Sequence, residues 1–175
     1  MQKQPEVVVT GSGWVTPFAH WTIEAVRAGA SMAVASQGAD PSAISRASRI
    51  SDEVVSALPA VSDEIARDRA CRIAAHALQL AYEEAGVTRT NLPVDRIGLC
   101  LDYANAGVGG MIAFANDVRK QSARFVSPIQ FPQTVGNYVA GAIARAFNIR
   151  GPNETLASCD ESSLFSMREA KNLLI

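Results

Sequence analysis

Short, unbroken apolar runs separated by helical periodicity constrain the fold of this chain more than any other feature. The clearest runs span residues 6–10 and 96–101. Runs of this length are typical of strands that are covered on both faces in a parallel sheet. The sequence therefore predicts at least two buried strands, with a third near residues 154–158.

Amphipathic helices are predicted between these strands. Ser62 is placed to cap the first helix, Asp63 and Glu64 make its first turn acidic, and Gly86 marks its end. A second helix is predicted to begin near Gln133, with apolar residues at helical spacing up to residue 146. Alternating strands and helices imply βαβ units. Residues 29–60 are weakly patterned, and we expect an excursion there with at most one short helix.

Composition restricts the class of protein and of partner. The 175 residues are 48% hydrophobic and carry a net charge of −1, which favours one soluble globular domain and gives no basic face for nucleic acid. No segment approaches the roughly 20 apolar residues of a membrane span, so we expect a cytoplasmic protein. Cys71, Cys100 and Cys159 lack metal-ligand spacing. We therefore expect neither a metal nor a cofactor.

Residues 151–163 carry the most informative motif, Gly-Pro-Asn-Glu-Thr-Leu-Ala-Ser-Cys-Asp-Glu-Ser-Ser. It resembles the nucleophile turn of β-ketoacyl synthases, which runs Gly-Pro-Asn-x-Thr, three small or apolar residues, Ala, and then the catalytic Cys. Counted from Gly151, that cysteine falls on position 160, where this chain has Asp160. Cys159 stands one residue early, and a slip of one residue at a strand end turns a side chain to the opposite face.

Other segments resemble the same family in the same order. They are residues 7–17, 96–99, 108–110 and 127–141. The resemblance implies an α/β, partial thiolase-like fold, with a mostly parallel sheet and helices on both faces. Family members continue into a second half with two catalytic histidines and a lysine, to which His20 and His76 do not correspond. We therefore expect residues 1–175 to form a single incomplete, truncated N-terminal domain.

The residues at the nucleophile position have simple structural interpretations. Asp160 is a good helix N-cap whose charge suits the helix dipole. Asp160 and Glu161 also place two negative charges beside Cys159, which oppose formation of a thiolate. We expect no catalytic residue here, and the chain is predicted not to be an enzyme.

The resemblance implies a chain-length-factor-like subunit that forms a heterodimer with a catalytic β-ketoacyl synthase. Such subunits stabilise the partner and shape its acyl tunnel in type II fatty acid or polyketide biosynthesis, aryl polyenes included. This chain would interact with acyl carrier protein only indirectly, through the partner. The docking strand is predicted to be Glu154, Thr155, Leu156, Ala157 and Ser158. The residues that match tunnel-end segments, with interface or core packing as the alternative, are Met111, Ile112, Phe114, Ile129, Gln130 and Phe131.

Two other function classes remain open. One is a stand-alone acyl-transfer or decarboxylating enzyme that uses Cys159 or Asp160 together with a base brought close in the fold. The other is a nucleotide-binding module, suggested by Gly11-Ser12-Gly13. In that motif the third glycine of GxGxxG is replaced by Thr16, and Pro17 follows where a phosphate-binding helix should start.

Overall fold

The computed structural model describes residues 7–15, 20–21, 50–88, 93–103, 107–157 and 162–174. The chain divides into two units, one formed by Val9–Thr88 and the other by Met1–Val8 together with Arg89–Ile175. The described residues contain short strands and several helices, which confirms the α/β class. None of the described helices has both the length and the apolarity to span a membrane.

In the unit Val9–Thr88, the described helices are α1 (Asp52–Ala57), α2 (Asp63–Arg67) and α3 (Arg69–Glu84). Each begins after a capping side chain that accepts a backbone N–H: Ser51, Ser62 and Asp68. The prediction of one continuous helix after Ser62 is wrong, because Asp68 has extended backbone angles (φ −117°, ψ 129°) and caps a new helix. The predicted stop at Gly86 is confirmed, since Gly86 has a left-handed φ of 66° after the last helical turn.

Arg72 of α3 donates hydrogen bonds to the C-terminal ends of α1 and α2. Its guanidinium donates to the carbonyl oxygens of Ser56 at 2.6 Å and Val55 at 3.1 Å, near the end of α1. It also donates to the carbonyl oxygen of Ala66 at 3.0 Å, near the end of α2. Carbonyls near a helix end lose their usual intrahelical donors, although that of Val55 also accepts the N–H of Leu58. One side chain therefore satisfies both ends above a core of Val55, Leu58, Ile65, Cys71 and Ala75.

The segment around Gly11-Ser12-Gly13 packs directly on α3. A Cβ added to Gly13 would overlap the carbonyl oxygen of Ala77, and one added to Gly11 would overlap that of Ala81. Ser12 donates its N–H and its hydroxyl to Glu84 Oε2, at 2.5 and 2.8 Å. The two glycines therefore allow the backbone to lie against the helix.

The first predicted strand is wrong for the residues described. Residues 7–10 form no strand, and Val8 and Val9 are 65% and 84% exposed. The chain instead forms β1 (Trp14–Val15) and β2 (His20–Trp21), which pair antiparallel. An apolar run specifies a buried strand only where another strand pairs with it, and no described strand pairs with residues 7–10.

In the other unit, β3 (Leu99–Asp102) and β4 (Asn153–Leu156) form a parallel pair, as predicted, but with different bounds. The strand predicted for residues 96–101 begins at Leu99, because Val94–Arg96 form a 3₁₀ turn, and the strand predicted near residues 154–158 ends at Leu156. The register places Leu99 opposite Asn153 and Asp102 opposite Leu156. The helices that pack on this pair are α5 (Tyr138–Phe147) and α6 (Ser162–Leu173).

The helices α5 and α6 lie on opposite faces of the sheet. Asn153 donates to the carbonyl oxygen of Ala140 on α5, at 3.5 Å. The opposite face carries Cys100, and the negative charge of Glu169 on α6 contributes to the raised pKa of its thiol. Successive strand residues point to opposite faces, so the prediction of helices on both faces is confirmed.

Helix α5 begins later than the sequence predicts. Residues Pro128–Thr134 form a 3₁₀ segment, Val135 is extended and 39% exposed, and the helix starts at Tyr138. Pro132 has no N–H for an α-helical ladder, and Gly136 lowers helix propensity just before the start. The face formed by Val139, Ala142 and Ile143 is buried as predicted.

We expect Arg72→Met to lower the free energy of unfolding by about 2–3 kcal/mol, because several carbonyls lose a charged donor. Arg67→Met is the matched control, since Arg67 is an exposed arginine in the last turn of α2. Its effect should stay within about 0.5 kcal/mol. Urea denaturation followed by circular dichroism measures both, and equal losses for the two variants would contradict the capping role.

Candidate functional site

The strand and helix predicted around the nucleophile position are both present. Strand β4 ends at Leu156, and α6 begins at Ser162. Cys159 and Asp160 themselves lie outside the described residues, as does Ser158. The interpretations of Asp160 as a helix cap and of Cys159 as a structural residue stay predictions.

The predicted docking strand lies at an edge of the described sheet. Glu154 is exposed, Thr155 and Leu156 are half-buried, and Ala157 follows the strand and is exposed. Among the described strands, β4 pairs only with β3. The other edge of β4 therefore presents backbone donors and acceptors of the kind that another strand can pair with.

A second candidate region forms where α4 (Val108–Gln121) packs against the 3₁₀ segment Pro128–Thr134. Gly107 precedes the helix with a φ of 77°. A Cβ on Gly107 would lie 2.6 Å from the carbonyl oxygen of Thr134, and one on Gly110 would overlap that of Gln133. Gly107, together with Gly110 from the segment matched to a family turn, thus lets the first turn of α4 lie directly on the backbone of the segment.

This packing brings together side chains from both predicted tunnel-end segments. The rings of Phe114 and Phe131 meet edge to face, with centroids 6.0 Å apart and planes at 69°. Gln130 donates to Asp117 Oδ2 at 3.2 Å. We call the six predicted residues the α4 surface: Met111, Ile112, Phe114, Ile129, Gln130 and Phe131.

The α4 surface is largely exposed. Met111 is 54% exposed, Ile112 57%, Ile129 73% and Phe131 59%. These side chains are not part of a core formed by the described residues. Large exposed apolar side chains that cluster are typical of contact surfaces. Val108, 45% exposed, was missed, although its spacing to Met111 and Ile112 puts it on the same helix face.

The sheet face toward α6 carries an acidic group that sequence reasoning also missed. Cys100 and Asp102 share this face of β3, and Glu154 lies opposite Cys100 on β4. Burial raises the pKa of the Cys100 thiol, and the negative charges of Glu154 and Glu169 raise it further. The i, i+2 spacing of Cys100 and Asp102 indicated that the two side chains share a strand face. The effect of Glu169 on the pKa of Cys100 depends on where α6 packs, which the spacing does not reveal.

The two histidines do not join either region. His76 lines an apolar cavity of about 400 Å³ within the unit Val9–Thr88, with Val54, Ala57, Leu58, Pro59 and Leu80. The backbone of His20 lies in β2, and its side chain is outside the described atoms. The prediction that neither is catalytic stays a prediction.

We expect Gly110→Ala to lower the free energy of unfolding by about 1–3 kcal/mol, because the added methyl overlaps the Gln133 carbonyl. Gly109→Ala is the matched control, since no atom lies within 4 Å of its added Cβ. That variant should raise stability by about 0.5–1 kcal/mol through helix propensity. Urea denaturation tests the pair, and a well-tolerated Gly110→Ala would contradict the close packing of α4.

The raised pKa of Cys100 predicts slow alkylation. A raised thiol pKa means less thiolate at a given pH, so iodoacetamide should modify Cys100 more slowly than an unstructured cysteine peptide at pH 8. Glu154→Gln should increase the rate by removing one opposing charge, whereas Glu53→Gln, on α1, should not. Peptide-resolved mass spectrometry distinguishes Cys100 from Cys71 and Cys159. An unchanged rate in Glu154→Gln would show that the charge of Glu154 does not control the reactivity of the Cys100 thiol.

The family model described as beta-ketoacyl synthase, N-terminal domain, matches residues 4–174. No curated protein matches the chain.

Proposed function

Since this chain belongs to the β-ketoacyl synthase family through its N-terminal domain, we propose that it is a non-catalytic, chain-length-factor-like subunit of a ketosynthase pair. The observation that carries the proposal is Asp160 at the position of the family's nucleophilic cysteine. Condensation requires a thiolate that takes up the acyl chain. A carboxylate at that position does not provide this nucleophile, so the chemistry falls to a partner.

Cys159 is a poor substitute for the missing nucleophile. It stands one position early, and alternation along an extended chain would turn its side chain away from the direction of residue 160. Asp160 and Glu161 follow it directly, and their charges oppose thiolate formation. The proposed subunit therefore stabilises and shapes a partner's site and carries out no condensation of its own.

The partner proposed is a catalytic β-ketoacyl synthase that pairs along β4. Among the described strands none pairs with the second edge of β4, which supports the proposal, since exposed strand edges readily accept another strand. The α4 surface supports a role in shaping an acyl tunnel. Its exposed apolar side chains would be stabilised by burial against a partner or against an acyl chain. The setting is type II fatty acid or polyketide biosynthesis, which includes aryl polyenes.

The nucleotide-binding alternative is disfavoured by the packing of its motif. The backbone of α3 fills the space beside Gly11 and Gly13, where a phosphate-binding loop keeps room for its ligand. Ser12 donates both of its groups to the Glu84 carboxylate, which would repel a phosphate. These contacts give the two glycines a structural role.

The first experiment is co-expression with each ketosynthase encoded beside this chain. Size-exclusion chromatography with light scattering should show a 1:1 complex, and condensation assays should show activity that depends on the pair. Cys159→Ala should leave that activity unchanged. A chain that binds no ketosynthase would overturn the proposal, and activity of the chain alone that disappears in Cys159→Ala would establish a stand-alone enzyme.

Product length tests the α4 surface within the pair. Met111→Trp should shorten the product by filling part of the tunnel end while the 1:1 complex persists. Met167→Trp is the matched control, since Met167 is an exposed methionine on α6 with 68% exposure. Mass spectrometry of the products compares the two variants. An unchanged product length in Met111→Trp would show that Met111 does not line the tunnel.

A further inference from the structure

The cavity of about 400 Å³ that His76 lines has no role in the proposed function. We call it the His76 cavity. Helix α3 contributes His76 and Leu80, which lie one turn apart on the same face. The other lining residues belong to α1 and to the two positions after it: Val54, Ala57, Leu58 and Pro59. The cavity therefore lies wholly within the unit Val9–Thr88.

Two arginines of α3 fix the walls of the His76 cavity. Arg69 forms an ion pair with Asp52 at the start of α1, and Arg72 donates to two carbonyl oxygens near the end of α1. Leu58 is 4% exposed and closes the inner side, whereas Ala57 is exposed and leaves the cavity open to solvent. The space between the helices thus remains accessible to a small molecule.

The lining favours an apolar ligand with one polar group. Sites for small ligands are typically clefts of about 300–1,000 Å³, lined mostly by apolar side chains with a few polar groups that fix orientation. Among the described lining residues, only His76 has a polar side chain. An apolar cavity of about 150 Å³ holds benzene. The His76 cavity therefore has room for a longer molecule, such as a chain of about eight carbons.

The charge beside the His76 cavity favours a carboxylate as that polar group. Arg72 lies one turn before His76 on the same face of α3. Its guanidinium donates to backbone carbonyls, that of Leu58 included, and no carboxylate forms an ion pair with it among the described residues. No acidic side chain is among the described lining residues. A carboxylate there would meet a positive charge and an imidazole that can donate a hydrogen bond.

We propose that the His76 cavity binds a medium-chain carboxylic acid, with its chain between α1 and α3 and its carboxylate toward His76 and Arg72. The apolar side chains that line the cavity are aliphatic, which suits an alkyl chain. Removing that chain from water supplies the affinity. The inference is independent of the proposed function, because the α4 surface and β4 belong to the other unit.

Isothermal titration calorimetry of the full 175-residue chain with octanoate tests the inference. Octanoate should bind with 1:1 stoichiometry, and butyrate should bind at least about tenfold more weakly because its shorter chain buries less apolar surface. Ala57→Trp should fill the open side of the cavity and weaken octanoate binding by at least about tenfold. Ser56→Trp is the matched control, since Ser56 is exposed on α1 and does not line the cavity. Equal affinity of Ala57→Trp and wild type would overturn the inference.

1-Octanol tests the place of the carboxylate. The wild type should bind octanoate more tightly than 1-octanol, and His76→Leu should lose this preference while it still binds 1-octanol. A preference that persists in His76→Leu would contradict the role of His76. If His76→Leu does not fold, the comparison of Ala57→Trp with Ser56→Trp still decides. A wild-type chain that pairs with a ketosynthase and binds no octanoate would end the inference and leave the proposed function intact.

Discussion

Direct contact between backbones, without intervening side chains, is the constraint on which the described structure depends. At Gly13, Gly110 and Gly151 an added Cβ would overlap a carbonyl oxygen of the neighbouring element. Gly13 brings the amino-terminal segment onto α3, Gly110 places α4 on the 3₁₀ segment, and Gly151 starts β4 beside β3. Only glycine permits these approaches. Such backbone contacts position both the α4 surface and strand β4.

The α4 surface complements a chain that carries Asp160 at the position counted for its family's nucleophile. This surface is largely apolar, and most of its side chains are exposed. Apolar contact supplies affinity in proportion to buried area.

Local sequence patterns correctly predicted the elements whose tertiary contacts agree with their local propensity. Strands β3 and β4, the stop at Gly86 and the buried face of α5 are present as predicted. The strand predicted for residues 6–10 is wrong over residues 7–10, because strand formation requires a pairing partner that periodicity does not reveal. The break at Asp68 was missed because the same apolar period continues across it, and only the extended backbone and the cap distinguish two helices.

The sequence by itself determined the family, and its motif at residues 151–163 has Asp160 at the position counted for the family's reactive cysteine. It also indicated the six residues of the α4 surface through their position in matched segments. Only the tertiary structure showed that Phe114 meets Phe131 and that the charges of Glu154 and Glu169 act on the Cys100 thiol. These groups are far apart along the chain, and helix packing and strand register, which are nonlocal, bring them together.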